Sequence, residues 1–399
     1  MPELVLWVCT MDKRPLYFDY AATTPVDPRV IQVMVDCLGF EGNFGNPASG
    51  SHAYGQQARS AVELAREQVA QLINAKAEHI VWTSGATESN NLALKGVALG
   101  SGQSRGHIIT SQIEHKAVLD TARFLQQSGF EVTYLAPDAD GLISADKVRS
   151  ALRADTLLVS LMLVNNELGT VNDIPAIGQY VREHGALFHV DAAQGAGKLA
   201  IDVAQWAVDL MSFSGHKIYG PKGIGALYVG PRAQDRLQAQ MHGGGHEFGL
   251  RSGTLATHQI AGMGHAFAVA KQSLNDELAH VSSLRERLLG HLAGIAGLQC
   301  NGSQKSRVPH TLSLTFSEGH FSSAALSAAV AYSATSACNS ASNAPSHVLL
   351  ALGLDAEKAR RTIRLSFGRF TSNQDVDALA KAIQVATTVP APFWAVAQP

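Results

Sequence analysis

The chain has 399 residues, 46% hydrophobic and 16% charged, the balance of a soluble globular protein with core volume for two or three domains. A formal net charge of −2 gives no basic field, which argues against partners such as nucleic acid or anionic lipid. No apolar run approaches the roughly 18 residues that span a bilayer, and four scattered cysteines (Cys9, Cys37, Cys300, Cys338) without a C-x-x-C pair argue against a structural zinc or disulfide framework and for a reducing, cytoplasmic setting.

Residues 1–9 lack a basic start, a long apolar core and a small-residue cleavage site, so they read as an extension and not as a signal peptide. Met11, just before Asp12-Lys13-Arg14, offers an alternative start. After a turn-rich entry at 18–25, a helical pattern covers 27–38, a glycine, asparagine and proline loop covers 42–50, and an amphipathic helix covers 56–74. Strands at 80–83, 107–110, 131–135, 156–163 and 186–190 then alternate with helices that begin at 88, 115, 145 and 175. Apolar runs at 207–211 and 226–229 add two strands around a polar loop, so an α/β fold with a mainly parallel seven-stranded sheet is expected. From about Gln259 the texture changes: an alanine-rich, charged helical run over 261–295 leads into a smaller α+β region. The expected division is a large domain over 26–272 and a small domain made of 1–25 and 273–399, with a loose proline-bearing tail at the end.

Chemistry concentrates where strands end. The loop Ser212-Phe213-Ser214-Gly215-His216-Lys217-Ile218-Tyr219-Gly220 sets a lysine among hydroxyls, a histidine and glycines. Lys217 so placed suits a Schiff base with an aldehyde cofactor, unless it is an ordinary solvated lysine. Thr83-Ser84-Gly85-Ala86-Thr87-Glu88 runs from strand into helix, either a capped helix start or a phosphate cradle built on Ala86 and Thr87. Asp191 ends a buried strand, where ligands of open α/β sheets bind, and an acid there needs a cationic partner such as a pyridinium nitrogen. Gln194 would face that ring or solvent. Asn166 closes another strand on the same edge, and His115, opening the helix after a third strand, has the flat imidazole that stacks on a ring and shuttles protons. Residues 332–345 are small, polar and nearly uncharged, which reads as a mobile loop and makes Cys338 the exposed thiol of the four. Arg364, on an alternating strand, has the fork geometry for a substrate carboxylate or for an internal ion pair.

A serine hydrolase is the rival from another enzyme class, because Gly102-Gln103-Ser104-Arg105-Gly106 and His242-Gly243-Gly244-Gly245 match its short motifs. A nucleophile elbow requires a strand before the serine and a helix after it; here the pattern runs helix then strand.

Taken together the segments resemble the cysteine desulfurases of the class V aminotransferase family, specifically the NifS/IscS-like group. The resemblance spans Asp19 to about Phe370 and rests on Asp19-Tyr20-Ala21-Ala22-Thr23-Thr24-Pro25, Gly45-Asn46-Pro47-Ala48-Ser49, Thr83 to Ser89, Glu114-His115-Lys116, the lysine loop and Arg251-Ser252-Gly253-Thr254. It implies a fold-type-I homodimer with pyridoxal 5′-phosphate attached to Lys217. By the same resemblance Asp191 pairs the pyridine nitrogen, His115 stacks on the ring and Gln194 meets the phenolic oxygen. Ala86, Thr87, Ser214, Gly215 and His216 line the phosphate, with Thr254 supplied by the other subunit. Asn166 and Arg364 take the substrate carboxylate, and Cys338 attacks the substrate sulfur, giving a persulfide and L-alanine from L-cysteine. No resident metal is implied, with Cys338 left open as a transient ligand to a cluster iron.

The chain departs from the family pattern at Thr335, where a glycine is usual, and at Asn339, where a hydroxyl residue is usual. The extension by which housekeeping members dock a scaffold protein is expected to be missing beyond Trp394. The sulfur acceptor therefore stays open between an iron–sulfur scaffold and a tRNA-thiolation relay. Another class V reaction, transamination or selenocysteine cleavage with Cys338 idle, is the alternative, and a non-catalytic interaction subunit is a third.

Overall fold

The computed structural model describes residues 14–103, 105–317, 321–333 and 344–388. The chain begins with β1 (Leu16–Tyr17), α1 (Pro28–Val35) and α2 (Ala53–Leu72). Asp27 starts α1 by accepting the Arg29 N–H at 3.0 Å, and Pro28 follows at the first helical turn, where its missing N–H costs nothing. The alternating stretch is β2 (Ile80–Thr83), α3 (Ala86–Gly100), β3 (His107–Ser111), α4 (Lys116–Gln127), β4 (Glu131–Leu135), α5 (Ala145–Ala151), β5 (Thr156–Met162), α6 (Ile174–His184), β6 (Leu187–Asp191), β7 (Leu210–Ser214) and β8 (Gly225–Val229). The seven strands order as β2-β8-β7-β6-β5-β3-β4, with β8 antiparallel to both neighbours and all other pairs parallel.

This is the expected α/β sheet. Its central strands are buried on both faces, as parallel strands covered by crossover helices must be. Phe188 and Val190 join one core with α2, α5 and α6, while Leu187 joins the other with α3 and α4, the period-two alternation of a strand. The outer edge of β2 is closed by a buried ion pair: Arg66 meets Glu247 at 2.9 Å and Ile80 O at 2.6 Å, and Glu247 accepts the Trp82 N–H. One strand begins later than its apolar run suggests. Ala207 takes φ 54° to close the turn after Asp202, so β7 starts at Leu210.

The 36-residue α7 (Thr257–Leu292) links two cores. Ile260, Met263 and Phe267 pack on the large sheet, whereas Val281, Leu284, Leu288 and Leu292 pack on a second cluster. That cluster is built on β9 (Gln299–Cys300), β10 (Thr311–Thr315), α8 (Ser323–Ser327), β11 (Val330–Ala331), β12 (Thr362–Ser366) and α11 (Asn373–Thr388), while α9 (His347–Ala351) and α10 (Ala356–Arg360) pack with Ile113 and Leu168 in a separate small cluster. β10 sits between β9 and β12, antiparallel to both, and β1 pairs parallel with β11, which carries Phe18 into the second core.

Candidate active site

Because β2, β3, β5, β6 and β7 run the same way, their carboxyl ends share one rim. A cavity of about 540 Å³ opens there. Thr83, Ser111, Met162, Asp191 and Ser214 are the last residues of those strands, and the segments that follow supply the walls.

One end of the cavity is shaped for an anion. Ala86 and Thr87 form the first turn of α3, and no described side chain caps that turn, so its N–H groups face the cavity with the positive end of the helix dipole. Gly225 makes the approach possible: a Cβ there would lie 2.5 Å from Gly85 Cα. Ser214 and His216 stand opposite, His216 Nδ1 lying 3.1 Å from Thr23 Oγ1. Burial and the Lys217 and Lys222 ammonium groups push His216 down to about 4, so the ring is neutral and has one N–H to donate. Glu88 folds back to accept the Ser84 N–H at 2.8 Å and receives Arg251 Nε at 2.9 Å. Burial would raise this acid, but Arg251 and Ser84 hold it below its ordinary value, and the pair ties the 251–254 segment to the rim.

At the other end, Asp191 is 5% exposed and immobilised by two donors, Asn90 Nδ2 at 2.8 Å and Ala193 N at 3.0 Å. Beneath it His189 bridges Ser160 at 2.8 Å and Ser212 at 2.9 Å, a transverse brace across β5, β6 and β7; burial pushes this imidazole down to about 4, opposed by Asp191. Lys217 follows β7 in a short 3₁₀ turn and donates to Ala21 O at 2.6 Å and Ala22 O at 2.8 Å. Gln194 donates to the same Ala21 carbonyl at 2.8 Å. His115 is the N-cap of α4, its Nδ1 accepting the Ala117 N–H at 3.1 Å, which sets the ring on the cavity wall.

Arg364 closes the cavity from β12 and is 5% exposed. Nη2 binds Asp19 Oδ1 and Ser333 Oγ, each at 2.8 Å, and Nη1 donates to Asn166 O at 3.0 Å. Among the described residues Nε has no hydrogen-bond partner. A buried guanidinium with one unmatched donor is arranged to accept an incoming anion. Asn165 sets up this corner: its Oδ1 accepts the N–H groups of Glu167 and Leu168, turning the chain so that Asn166 reaches the cavity.

The structure thus gathers Ala86, Thr87, His115, Asn166, Asp191, Gln194, Ser214, His216, Lys217 and Arg364 around one space. Gly215 lies behind the wall, its N–H donating to Ile224 O at 3.0 Å, and a Cβ there would lie 2.8 Å from Pro221 O, so a residue without a side chain fits best. Thr254 is exposed and lines no part of the cavity within a single chain. Cys338 lies outside the described residues.

Residues 16–379 match the family described as aminotransferase class-V. The chain belongs to the class V aminotransferase family. Within it, the chain is similar to proteins named cysteine desulfurase IscS, at 59% identity with one from Pseudomonas aeruginosa (93% of this chain, 92% of that one) and 58% with one from Pseudomonas putida at the same coverage. Among solved structures it resembles a NifS-like protein (TM-score 0.85, 34% identity, 93% of this chain and 99% of the other) and a structure titled SspA in complex with cysteine (TM-score 0.79, 43% identity, 89% and 99%). Class V aminotransferases use pyridoxal 5′-phosphate, and the cavity fits it: uncapped helix N–H groups for a phosphate, a fixed carboxylate for a ring nitrogen and a lysine in the same cavity. The hydrolase rival has no matching geometry, since α3 precedes and β3 follows residues 102–106.

Several working residues escape a reading of the sequence. Asn90 holds Asp191 from 101 positions away, Asp19 holds Arg364 from 345 positions away, and the carbonyls of Ala21 and Ala22 receive Lys217. Backbone acceptors leave no mark in the choice of side chain, so Ala21 and Ala22 give no signal beyond lying in a turn-rich entry.

Proposed function

We propose that this protein is a pyridoxal-phosphate-dependent cysteine desulfurase, which transfers sulfur from L-cysteine to Cys338 and releases L-alanine. The observation that carries the reading is the meeting of Lys217, fixed Asp191, the uncapped start of α3 and the part-satisfied Arg364 in one cavity. The names of the 58–59% identical relatives support the choice of cysteine among class V substrates.

When bound, pyridoxal phosphate supplies an aldehyde that condenses with amines and a ring that withdraws electrons from the substrate Cα. Ala86, Thr87, Ser214 and His216 would hold its phosphate, with Thr254 reaching in from a second copy, and Gly215 keeps the strand-to-loop turn tight. Asp191 would keep the ring nitrogen protonated, His115 would cover the ring face and Gln194 would donate to the phenolic oxygen. Lys217 would hold the aldehyde group and, with its amine free, would move a proton to and from the substrate Cα. Asn166 and Arg364 orient the substrate carboxylate. The Cys338 thiolate attacks the substrate sulfur: an S–S bond forms, the Cβ–S bond breaks, Cβ takes a proton, and alanine leaves. Cys338 then carries a persulfide to an acceptor protein for iron–sulfur assembly or tRNA thiolation.

The direct test supplies L-cysteine and a reductant to the yellow protein and measures products. Alanine and sulfide in equal amounts are expected; pyruvate, or no alanine, would favour another class V reaction.

Asp19 enters this reading as the anchor of Arg364. Asp19→Asn is expected to raise KM for L-cysteine roughly tenfold and to leave kcat within about threefold, because it loosens a binding fork and not the reacting atoms. A kcat loss with unchanged KM would place Asp19 elsewhere in the chemistry.

We further propose a cytoplasmic homodimer with the large domain over 26–272 and the small domain over 1–25 and 273–399. Ile31, Val35, Leu38, Phe40, Phe44 and Tyr54 are exposed, with Phe40, Phe44 and Tyr54 in mutual ring contact, an apolar patch suited to a second copy. No helix among the described residues is long and apolar enough to cross a membrane. Sedimentation should give twice the chain mass; Phe40→Asp should lower it toward one chain and weaken cofactor retention, since Thr254 would no longer reach the partner's phosphate. A wild-type monomer that retains cofactor would overturn this.

A further inference from the structure

Gln194 and Lys198 lie four residues apart in the tight turns after β6, where Gly195 N–H returns to Ala192 O and Lys198 N–H to Gly195 O. Lys198 Nζ donates to Gln194 Oε1 at 2.9 Å, and Gln194 Nε2 donates to Ala21 O at 2.8 Å. An ammonium can only donate and a backbone carbonyl can only accept, so both contacts demand the same orientation of the amide. Its NH₂ faces the cavity beside Lys217, which shares the Ala21 carbonyl.

The lysine is half-buried, and the field it exerts reaches a buried imidazole. His310, just before β10, is 2% exposed, and among the described residues neither of its ring nitrogens has a partner. Burial, followed by the field of Lys198, pushes His310 well below its ordinary value, so this imidazole is neutral. Burial pushes Lys198 down to about 8, opposed by Glu277 of α7 and assisted by Arg364 of β12. At neutral pH the lysine is therefore the cation of the pair.

We propose that Lys198 is a positioning residue for the cofactor: by occupying Gln194 Oε1 it commits the amide NH₂ to the phenolic oxygen of pyridoxal phosphate and so sets the proton affinity of the chromophore formed with Lys217. The inference rests on the reading of Gln194 as the partner of that oxygen. A donor there draws electron density from the conjugated system and lowers its affinity for a proton. An amide released by Lys198 can rotate and present its own oxygen, which raises that affinity.

The experiment is a spectroscopic pH titration of the holoenzyme without substrate. Lys198→Met is expected to raise the midpoint by about half a unit, a roughly threefold change in proton affinity, and Gln194→Leu by about one unit. Lys198→Arg, which keeps the donor, should restore the wild-type midpoint. Adding Lys198→Met to Gln194→Leu should change nothing further, because the lysine acts through the amide. If Lys198→Met leaves the midpoint unmoved while Gln194→Leu shifts it, the inference fails and the reading of Gln194 stands. If the lysine substitution gives the same shift with and without Gln194, its charge acts through space and the positioning role is overturned. If Gln194→Leu is silent, the placement of Gln194 at the phenolic oxygen fails, and the inference with it. Should Lys198→Met not fold, Lys198→Leu, which also lacks a donor, takes its place in the same series.

Discussion

Cys338→Ala should retain the full yellow chromophore and lose alanine formation from L-cysteine by at least about a thousandfold. The two halves of this expectation have separate causes. Among the described residues the cavity is lined by residues from Ala21 to Gly223 together with Arg364, and a substitution at 338 leaves all of them in place. Desulfuration, by contrast, requires a thiolate to receive the sulfur as the Cβ–S bond breaks, and a methyl group cannot. The other described cysteines offer no replacement. Cys37 is buried, and burial and then Asp36 push its thiol up, away from the thiolate. Cys300 packs on the second core in β9, with Arg307 Nη1 3.6 Å from its sulfur. Spectral changes on adding L-cysteine should persist in the variant, since Arg364 and Lys217 are intact. A variant that forms alanine at the wild-type rate would show that the sulfur leaves by another route. A variant that also loses the chromophore would show that the 332–345 segment helps build the cofactor site.

What the sequence reveals of this site depends on whether a residue's role is local. Asp191, His115 and Lys217 each follow an apolar strand, and the mainly parallel order of the sheet places strand ends on one rim, so local pattern alone brings them together. The α3 start is equally legible, as a strand, a glycine and a helix within ten residues. The Asn90–Asp191 and Asp19–Arg364 contacts join segments that only the finished fold makes adjacent. Gln194 illustrates the boundary between the two cases. Its place after Asp191 is a local signal, but the direction of its amide is fixed by Lys198 and Ala21, one near in sequence and the other 173 positions away. Along α7 a single unbroken helical pattern serves both clusters, so its period does not mark the change of core, and the expected division near 272 rests on the change of composition around it.

Lys217→Ala is expected to abolish the covalently held chromophore and reduce turnover by at least about ten-thousandfold. Among the described residues two lysines line the cavity, and geometry separates them. Lys222 is exposed on the outer limb of the loop. Lys217 follows β7 directly, and its ammonium is held at 2.6 and 2.8 Å by the carbonyls of Ala21 and Ala22, beside the amide of Gln194. Those two acceptors aim the nitrogen into the cavity. Borohydride reduction of the wild type followed by peptide mapping should therefore place the cofactor mass on Lys217 and leave Lys222 unmodified. Lys217→Arg separates charge from covalency: the guanidinium can keep the contacts to Ala21 and Ala22 but cannot condense with an aldehyde or give up its proton. Its turnover should be as low as that of Lys217→Ala, although it should hold the cofactor more tightly through its charge. Turnover in Lys217→Arg above a few per cent of wild type, or label on Lys222, would move the covalent role away from Lys217. In that event the contacts of Lys217 with the entry segment would be structural, closing residues 21–22 over the end of β7.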